Sequence, residues 1–367
     1  MNYRQEYRVI VFLIASALSR TLYAAAGTEA ASFLDIPVGA GPASLGAAYS
    51  ARAEDAYATV WNPAGLGFLE CPQLAGTHQP YLESVHYEYL SYVHPLGTKE
   101  PVTGRTRRGF GSSIQYLGSG DLDRRDEIGT PMGTFSSYYA AYSLAYGQRW
   151  RDHWSFGAAA KAITAKISDA SAMTGAADLG VLYKPMDRFS LGAVAANLGP
   201  NLKFVNEGDP LPMAFRLGGL YALDSDWNVS AEGVYRRTGL LSGSIGAEYI
   251  YEDVFTVRCG YNTSHTKELS LMSGFSSGFG LFLWGQELSY AWVPFGELGT
   301  SHYFSLVLRF GQTQSSRPSR QKTVTEANFE HPILDESGYQ NLYDVLNPDE
   351  RKALQPAPAR KGKDSRP

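Results

Sequence analysis

From residue 134 onward the chain keeps returning to one pattern, a period-two alternation of bulky apolar residues with small or polar ones. Between Phe135 and Tyr146, the residues Tyr138, Ala140, Tyr142, Leu144 and Tyr146 share one face, and Tyr139, Ala141, Ser143 and Ala145 share the other. At Trp227 the separation is sharper, with Trp227, Val229, Ala231, Gly233 and Tyr235 opposing Asn228, Ser230, Glu232, Val234 and Arg236. It recurs with Ile245, Ala247, Tyr249 and Tyr251 against Ser244, Gly246 and Glu248, and with Phe255, Val257, Cys259 and Tyr261 against Thr256, Arg258 and Gly260. Phe304, Leu306, Leu308 and Phe310 likewise oppose Tyr303, Ser305 and Arg309. A helix would scatter these groups round its circumference, whereas a pleated strand sorts them to two faces.

Turn residues punctuate the runs. Pro185-Met186-Asp187, Asn197-Leu198-Gly199-Pro200-Asn201, Leu223-Asp224-Ser225-Asp226 and Tyr251-Glu252-Asp253 each close one run and open the next. The segmentation predicts an all-β chain of about 14 antiparallel strands. They lie near 73–82, 85–96, 107–118, 134–148, 154–167, 176–184, 189–198, 213–223, 227–237, 242–252, 254–263, 269–277, 279–286 and 288–293 or 301–310. The 13% aromatic content and the 38 glycines suit pleated surfaces joined by many turns. Two architectures share this alternation. A soluble sandwich would bury the aromatic face, whereas a transmembrane barrel would turn it to lipid. Aromatic groups at strand ends (Trp154, Tyr183, Trp227, Tyr235, Tyr251 and Trp292) suit interfacial girdles and favour the barrel. In a barrel, Val229, Val257, Leu306 and Leu308 face lipid, and Arg216, Glu232, Glu248, Arg258 and Arg309 form a polar lumen face. Charges inside a membrane wall need water or each other, so Glu232, Glu248 and Arg258 are expected in one ionic network within an aqueous interior.

Other parts of the chain do not read as wall. Arg4 and Arg8, the apolar run Val9–Leu18 and the small residues Ala24–Ala26 read as a signal peptide over 1–26, cleaved near Ala26–Gly27. The run is too short for a membrane-spanning helix. Residues 27–72 are turn-rich with little period-two pattern and read as a compact plug, or hatch, with one short helix around Ala48–Val60. Within it, Pro63 ends the preceding helix, Gly65 allows a turn, and the Asn62 side chain can bond backbone of the turn or of the wall. With Ala64, these form the candidate plug site Asn62, Pro63, Ala64 and Gly65. Residues 73–311 form the barrel. Residues 312–367, rich in proline and mixed charge, read as a largely disordered tail. A short helix can start at Asn347, with Tyr339, Leu342, Tyr343 and Leu346 upstream as a docking face for a periplasmic protein.

Several functional classes drop out. A formal charge of −4 gives no basic footprint for nucleic acid. The two cysteines, Cys71 and Cys259, exclude a disulfide framework, and the seven histidines are scattered. His86 and His94 share a strand face but sit about 26 Å apart at strand rise, too far for one metal. No nucleophile elbow or triad is found, and no enzyme activity or cofactor is expected.

One stretch carries a resemblance. Gly39-Ala40-Gly41-Pro42-Ala43-Ser44-Leu45-Gly46-Ala47-Ala48-Tyr49, then Asp55-Ala56, then Asn62-Pro63-Ala64-Gly65-Leu66, resembles the start of the long-chain fatty acid transporter (FadL-like) family of outer-membrane barrels. The likeness is to its spirochaetal members and its PorV/PorQ-like branch. It implies a 14-stranded barrel in the outer membrane with an N-terminal hatch in the lumen. It also implies passive uptake of hydrophobic small molecules such as long-chain fatty acids or other lipids, with the Asn62 contact controlling the ligand path. The short loops and long tail leave a second reading open, a non-transporting scaffold barrel that holds protein partners.

Overall fold

The computed structural model describes residues 29–80, 85–97, 106–126, 128–204, 207–264, 271–294 and 299–311. The expected signal peptide over 1–26 and the tail over 312–367, including the helix at Asn347, lie outside the described residues.

Among the described residues, eighteen strands follow one another: β1 (Gln73–Pro80), β2 (His86–Leu96), β3 (Arg108–Gly118), β4 (Leu122–Arg125), β5 (Pro131–Phe135), β6 (Ser137–Trp150), β7 (Trp154–Ile167), β8 (Ala170–Met186), β9 (Phe189–Leu198), β10 (Leu202–Phe204), β11 (Glu207–Asp209), β12 (Ala214–Ala222), β13 (Trp227–Arg236), β14 (Leu241–Tyr251), β15 (Phe255–Asn262), β16 (Phe275–Leu283), β17 (Gln286–Pro294) and β18 (Thr300–Arg309). Fourteen of them close into a barrel in the order β1-β18-β17-β16-β15-β14-β13-β12-β9-β8-β7-β6-β3-β2. Every neighbouring pair is antiparallel. Closure leaves no sheet edge and excludes the sandwich. The other four strands pair as β4–β5 and β10–β11, two small sheets within the connections β3–β6 and β9–β12.

The last strands correct the expected segmentation. The runs placed at 269–277 and 279–286 are one strand, β16, and both 286–294 and 300–309 are strands. Gly278, which falls in the gap between the two expected runs, is an inward position of β16, and the turn falls at Trp284–Gly285, both with positive φ. The helix expected around Ala48–Val60 shrinks to Ala58–Trp61; a separate short helix spans Ala40–Ser44, and a 3-10 stretch spans Pro63–Phe68.

Alternation sets the two faces of the wall. Leu144, Leu179, Phe215, Leu217, Ile245, Val257, Phe304 and Leu306 point outward and are exposed, whereas their chain neighbours are mostly buried. Exposed apolar groups on this scale, all round a closed ring, belong in lipid rather than water. Trp154 stacks on Tyr183 at 4.2 Å, Trp227 on Tyr249 at 4.9 Å and Phe189 near Tyr221, all beside the short turns. His86, Tyr116 and Tyr138 make a matching group beside the longer connections. The two ends of the barrel are therefore distinguishable. A turn end carries 151–153, 187–188, 223–226, 252–254 and 284–285, and a loop end carries the connections that hold the two small sheets.

Candidate functional site

Residues 29–72 run through the lumen from the loop end to the turn end, where β1 begins. At the loop end Ala30 N donates to Pro210 O at 2.9 Å, and Asp35 pairs with Arg236 of β13. Phe33 and Leu34 are buried in an apolar cluster with Ile163, Leu202 and Leu211, against which Leu117, Tyr139 and Phe204 also pack. Further along the segment, Ala40 N donates to Ser305 Oγ at 2.8 Å, Gly46 N donates to Ser276 Oγ at 3.1 Å, and Asn262 Nδ2 donates to Gly46 O at 2.9 Å. Near the turn end Ser155 Oγ donates to Ala64 O at 2.6 Å, and the 3-10 stretch lies against β3, β6, β7 and β8.

Inward glycines let the segment lie directly against the wall. A Cβ at Gly260 would lie 2.1 Å from Gly46 N, one at Gly192 2.4 Å from Ser50 O, and one at Gly218 2.3 Å from Ser50 Oγ. Gly246 meets Leu45, Gly180 meets the Asn62 side chain, Gly157 and Gly147 meet Pro63, and Gly109 meets Leu66. With Gly278 against Ser44, nine of the fourteen wall strands present a glycine where the segment passes. Gly65 is needed for closeness too. Its expected role was a turn, but a Cβ there would fall 1.5 Å from Ala53 O, and its φ is not in the positive range.

Asn62 bonds in both directions. Its Oδ1 accepts from Ala64 N at 3.1 Å, and its Nδ2 donates to Ser50 O at 2.8 Å within the segment and to Val181 O of β8 at 3.1 Å. It is fully buried, and its extended backbone ends the Ala58–Trp61 helix where Pro63 enters.

The charged residues read from the pattern all sit on the inner side of the wall, but not as one network. Glu248 accepts from Arg258 Nε at 2.8 Å, from Asn228 Nδ2 at 3.1 Å and from Arg52 of the segment at 2.5 and 2.6 Å. Arg258 also pairs with Glu287 at 2.8 Å, and Glu287 with Arg309 at 3.0 Å. Glu232 stands apart. Its carboxylate accepts from Tyr49 N at 3.0 Å and Ser50 N at 2.8 Å, so it fastens segment backbone instead of joining Glu248 and Arg258. Arg216 lies over the Trp61 ring at 5.1 Å. Glu232, Glu248 and Arg258 are each at most 5% exposed, so the expected aqueous interior is absent at their level; the segment fills it. Burial also raises the Asp55 carboxyl from its ordinary value, against the opposing bonds from Tyr49 Oη at 2.5 Å and Tyr57 N at 2.9 Å.

Three contributors escaped the sequence pattern. Glu287 alternates correctly with Leu288, Ser289 and Tyr290, but the misplaced strand boundary left it between two runs. Arg52 belongs to a segment with no periodicity to place it. Lys161 lies among inward Ala159, Ile163 and Ala165, yet it pairs with Asp178 at 2.7 Å and donates to Asn197 Oδ1 at 2.8 Å, beside a register shift between β8 and β9. Outside the lumen, a groove of about 780 Å³ crosses the lipid-facing wall over Ala193 and Ala195, flanked by Leu179, Val181, Phe215 and Leu217. Cys71 is buried, Cys259 faces outward, and no disulfide joins them.

Fold and site together define a membrane β-barrel whose lumen is occupied by its own N-terminal segment. No protein-family model matches the sequence, and no curated protein is significantly similar to it. Solved structures do match. The Pseudomonas putida toluene transporter TodX aligns over 73% of this chain and 96% of its own, with a TM-score of 0.51 and 14% identity. The CymD monoaromatic hydrocarbon channel (74% and 96%, TM-score 0.49, 13% identity) and a Pseudomonas aeruginosa FadL homologue (73% and 97%, TM-score 0.47, 12% identity) are also similar. The likeness to FadL-family barrels noted on residues 39–66 thus extends to the fold.

Proposed function

We propose that the protein is an outer-membrane channel for passive uptake of hydrophobic small molecules, long-chain fatty acids among them, with residues 27–72 as its plug. The observation that carries this reading is the apolar character of the loop-side lumen. Water-filled barrels are polar inside. Here Phe33 and Leu34 sit among Ile163, Leu202, Leu211 and Tyr139 instead. Such a compartment favours cargo that gains by leaving water. The apolar wall groove and the fold shared with a toluene transporter support the same reading. In it, Asn62, Pro63, Ala64 and Gly65 hold the plug to the wall, and Arg216, Glu232, Glu248, Arg258 and Arg309 hold the wall to the plug. The test is uptake of a fluorescent long-chain fatty acid and of toluene into proteoliposomes. Protein-dependent uptake of either is expected, and Asn62→Ala, compared at equal amounts of folded protein, should alter its rate. A parent protein that takes up neither refutes the channel.

The glycine contacts favour a second reading, a scaffold barrel that does not transport, because they seat the segment directly against nine of the fourteen wall strands. Under it, the detergent-extracted protein would co-purify with a protein partner rather than with lipid.

A further inference from the structure

We infer that Lys161 is a positioning residue: with Asp178 it fixes Asn197, and Asn197 holds the β9–β12 connection inside the lumen, so that a part of the wall itself covers the apolar compartment toward the loop end. The inference concerns this connection, and it holds or fails whichever molecule passes.

The wall is stepped where the connection leaves it. β8 pairs with β7 as far as Ala170 but with β9 only as far as Ala177, so among the described residues 170–176 have no partner strand on the β9 side. The chain turns inward at that step. A Cβ at Gly199 would lie 2.3 Å from Gly175 O, and Thr174 Oγ1 donates to Pro200 O at 3.4 Å. Beyond them Leu202 and Leu211, each 1% exposed, join the cluster that holds Ile163 and Ala172.

A single chain of bonds fastens the return. β9 advances three residues, from Ala195 to Leu198, while β8 advances two, from Leu179 to Ala177, and in this bulge Asn197 takes a φ of 58°. Asparagine tolerates that left-handed backbone. Its N–H donates to Asp178 Oδ1 at 2.8 Å, its Oδ1 accepts from Lys161 Nζ at 2.8 Å, and its Nδ2 donates to Pro212 O at 3.0 Å, where the connection rejoins the wall at β12. Lys161 meets Asp178 at 2.7 Å, with side chains 3% and 0% exposed. The pair is not needed to join β7 to β8, which already face each other along fourteen ladder positions. Apolar side chains would fill the same space without desolvating charge. What the two charges supply is direction: they orient the Asn197 amide so that its NH2 faces Pro212 O.

The test uses the full-length protein in lipid nanodiscs, with Cys71→Ser and Cys259→Ser, and follows the reaction of Leu202→Cys with a water-soluble methanethiosulfonate. Labelling should be slow in that background, and about tenfold or more faster with Asn197→Gly, which keeps the positive φ and the ion pair but removes the bond to Pro212 O. Lys161→Met with Asp178→Asn strands no charge and leaves an acceptor for the Asn197 N–H; it should accelerate labelling as much. A pair that only staples β7 to β8 would leave the rate unchanged. Hydrogen exchange of residues 199–213, measured without the reporter cysteine, is the second readout, and the heat-dependent gel shift identifies folded barrels. Fast labelling before either change, or unchanged labelling and exchange in either folded variant, overturns the inference. A double variant that does not fold overturns it too, because Lys161 then holds the wall rather than the connection. Neither readout involves cargo, so a parent without uptake removes the channel while labelling still decides the role of the connection.

Discussion

Replacing Glu248 with glutamine tests whether the turn-end charges are a desolvated array or a set of solvated side chains. Glu248 is 1% exposed and faces Arg258, 5% exposed, and Arg52, 16% exposed, by side chain. Removing one partner of a buried pair costs about 3–5 kcal/mol, because the other charge stays behind without compensation. Arg258 keeps Glu287 at 2.8 Å, so the charge stranded in Glu248→Gln is mainly that of Arg52. The expected loss is therefore near the lower limit, about 3 kcal/mol. In the double variant Glu248→Gln with Arg52→Met no guanidinium is stranded, and a coupling of about 1–3 kcal/mol should be recovered. Urea unfolding in lipid vesicles, followed by tryptophan fluorescence and by the heat-dependent gel shift of folded barrels, measures both quantities. A Glu248→Gln protein within about 1 kcal/mol of the parent, with no coupling in the cycle, would refute the argument.

Other variants probe the wall and the segment. Val257→Arg places a charge on the lipid face and should cost about 2–4 kcal/mol near mid-bilayer, read by the same unfolding assay. Gly65→Ala puts a methyl group where Ala53 O lies and should reduce the yield of the heat-resistant form, scored by gel shift in outer-membrane fractions. Asn62→Ala removes the donor serving two carbonyls and the acceptor serving Ala64 N, at a cost of about 2–3 kcal/mol, and the barrel should still assemble.

The wall was legible because lipid and lumen impose opposite demands on alternate residues, and alternation survives in a single sequence. Val229, Val257, Leu306 and Leu308 could be placed from parity alone. What fills the lumen was not legible in the same way. Ser230 and Glu232 were read as channel-lining groups, yet both are at most 4% exposed, because small and polar inward residues suit a packed segment as well as water. The inward glycines carried the missing information. A glycine at mid-strand weakens a sheet unless something approaches closely, and nine strands bearing one at the same contact can be recognised only once register is known. The Asn-Pro-Ala-Gly run was legible as a turn. Its bond to Val181 O lies 119 residues away in sequence, beyond any local rule.

The seam between first and last strands has a consequence for biogenesis. Gln73 to His78 pair with Arg309 to Phe304, the most distant residues the barrel joins, and at that seam Ser305 bonds both Thr77 and Ala40 N. Arg309, the end of β18, also supplies the final cation to Glu287. The last strand to be made thus reads two things as it zips up, the edge of β1 and the seated segment. A chain whose segment has not entered offers β18 an incomplete partner. Ser305 therefore has both of its partners only when the cylinder is closed and the segment is in place, so the seam and the contents of the lumen share one fastening.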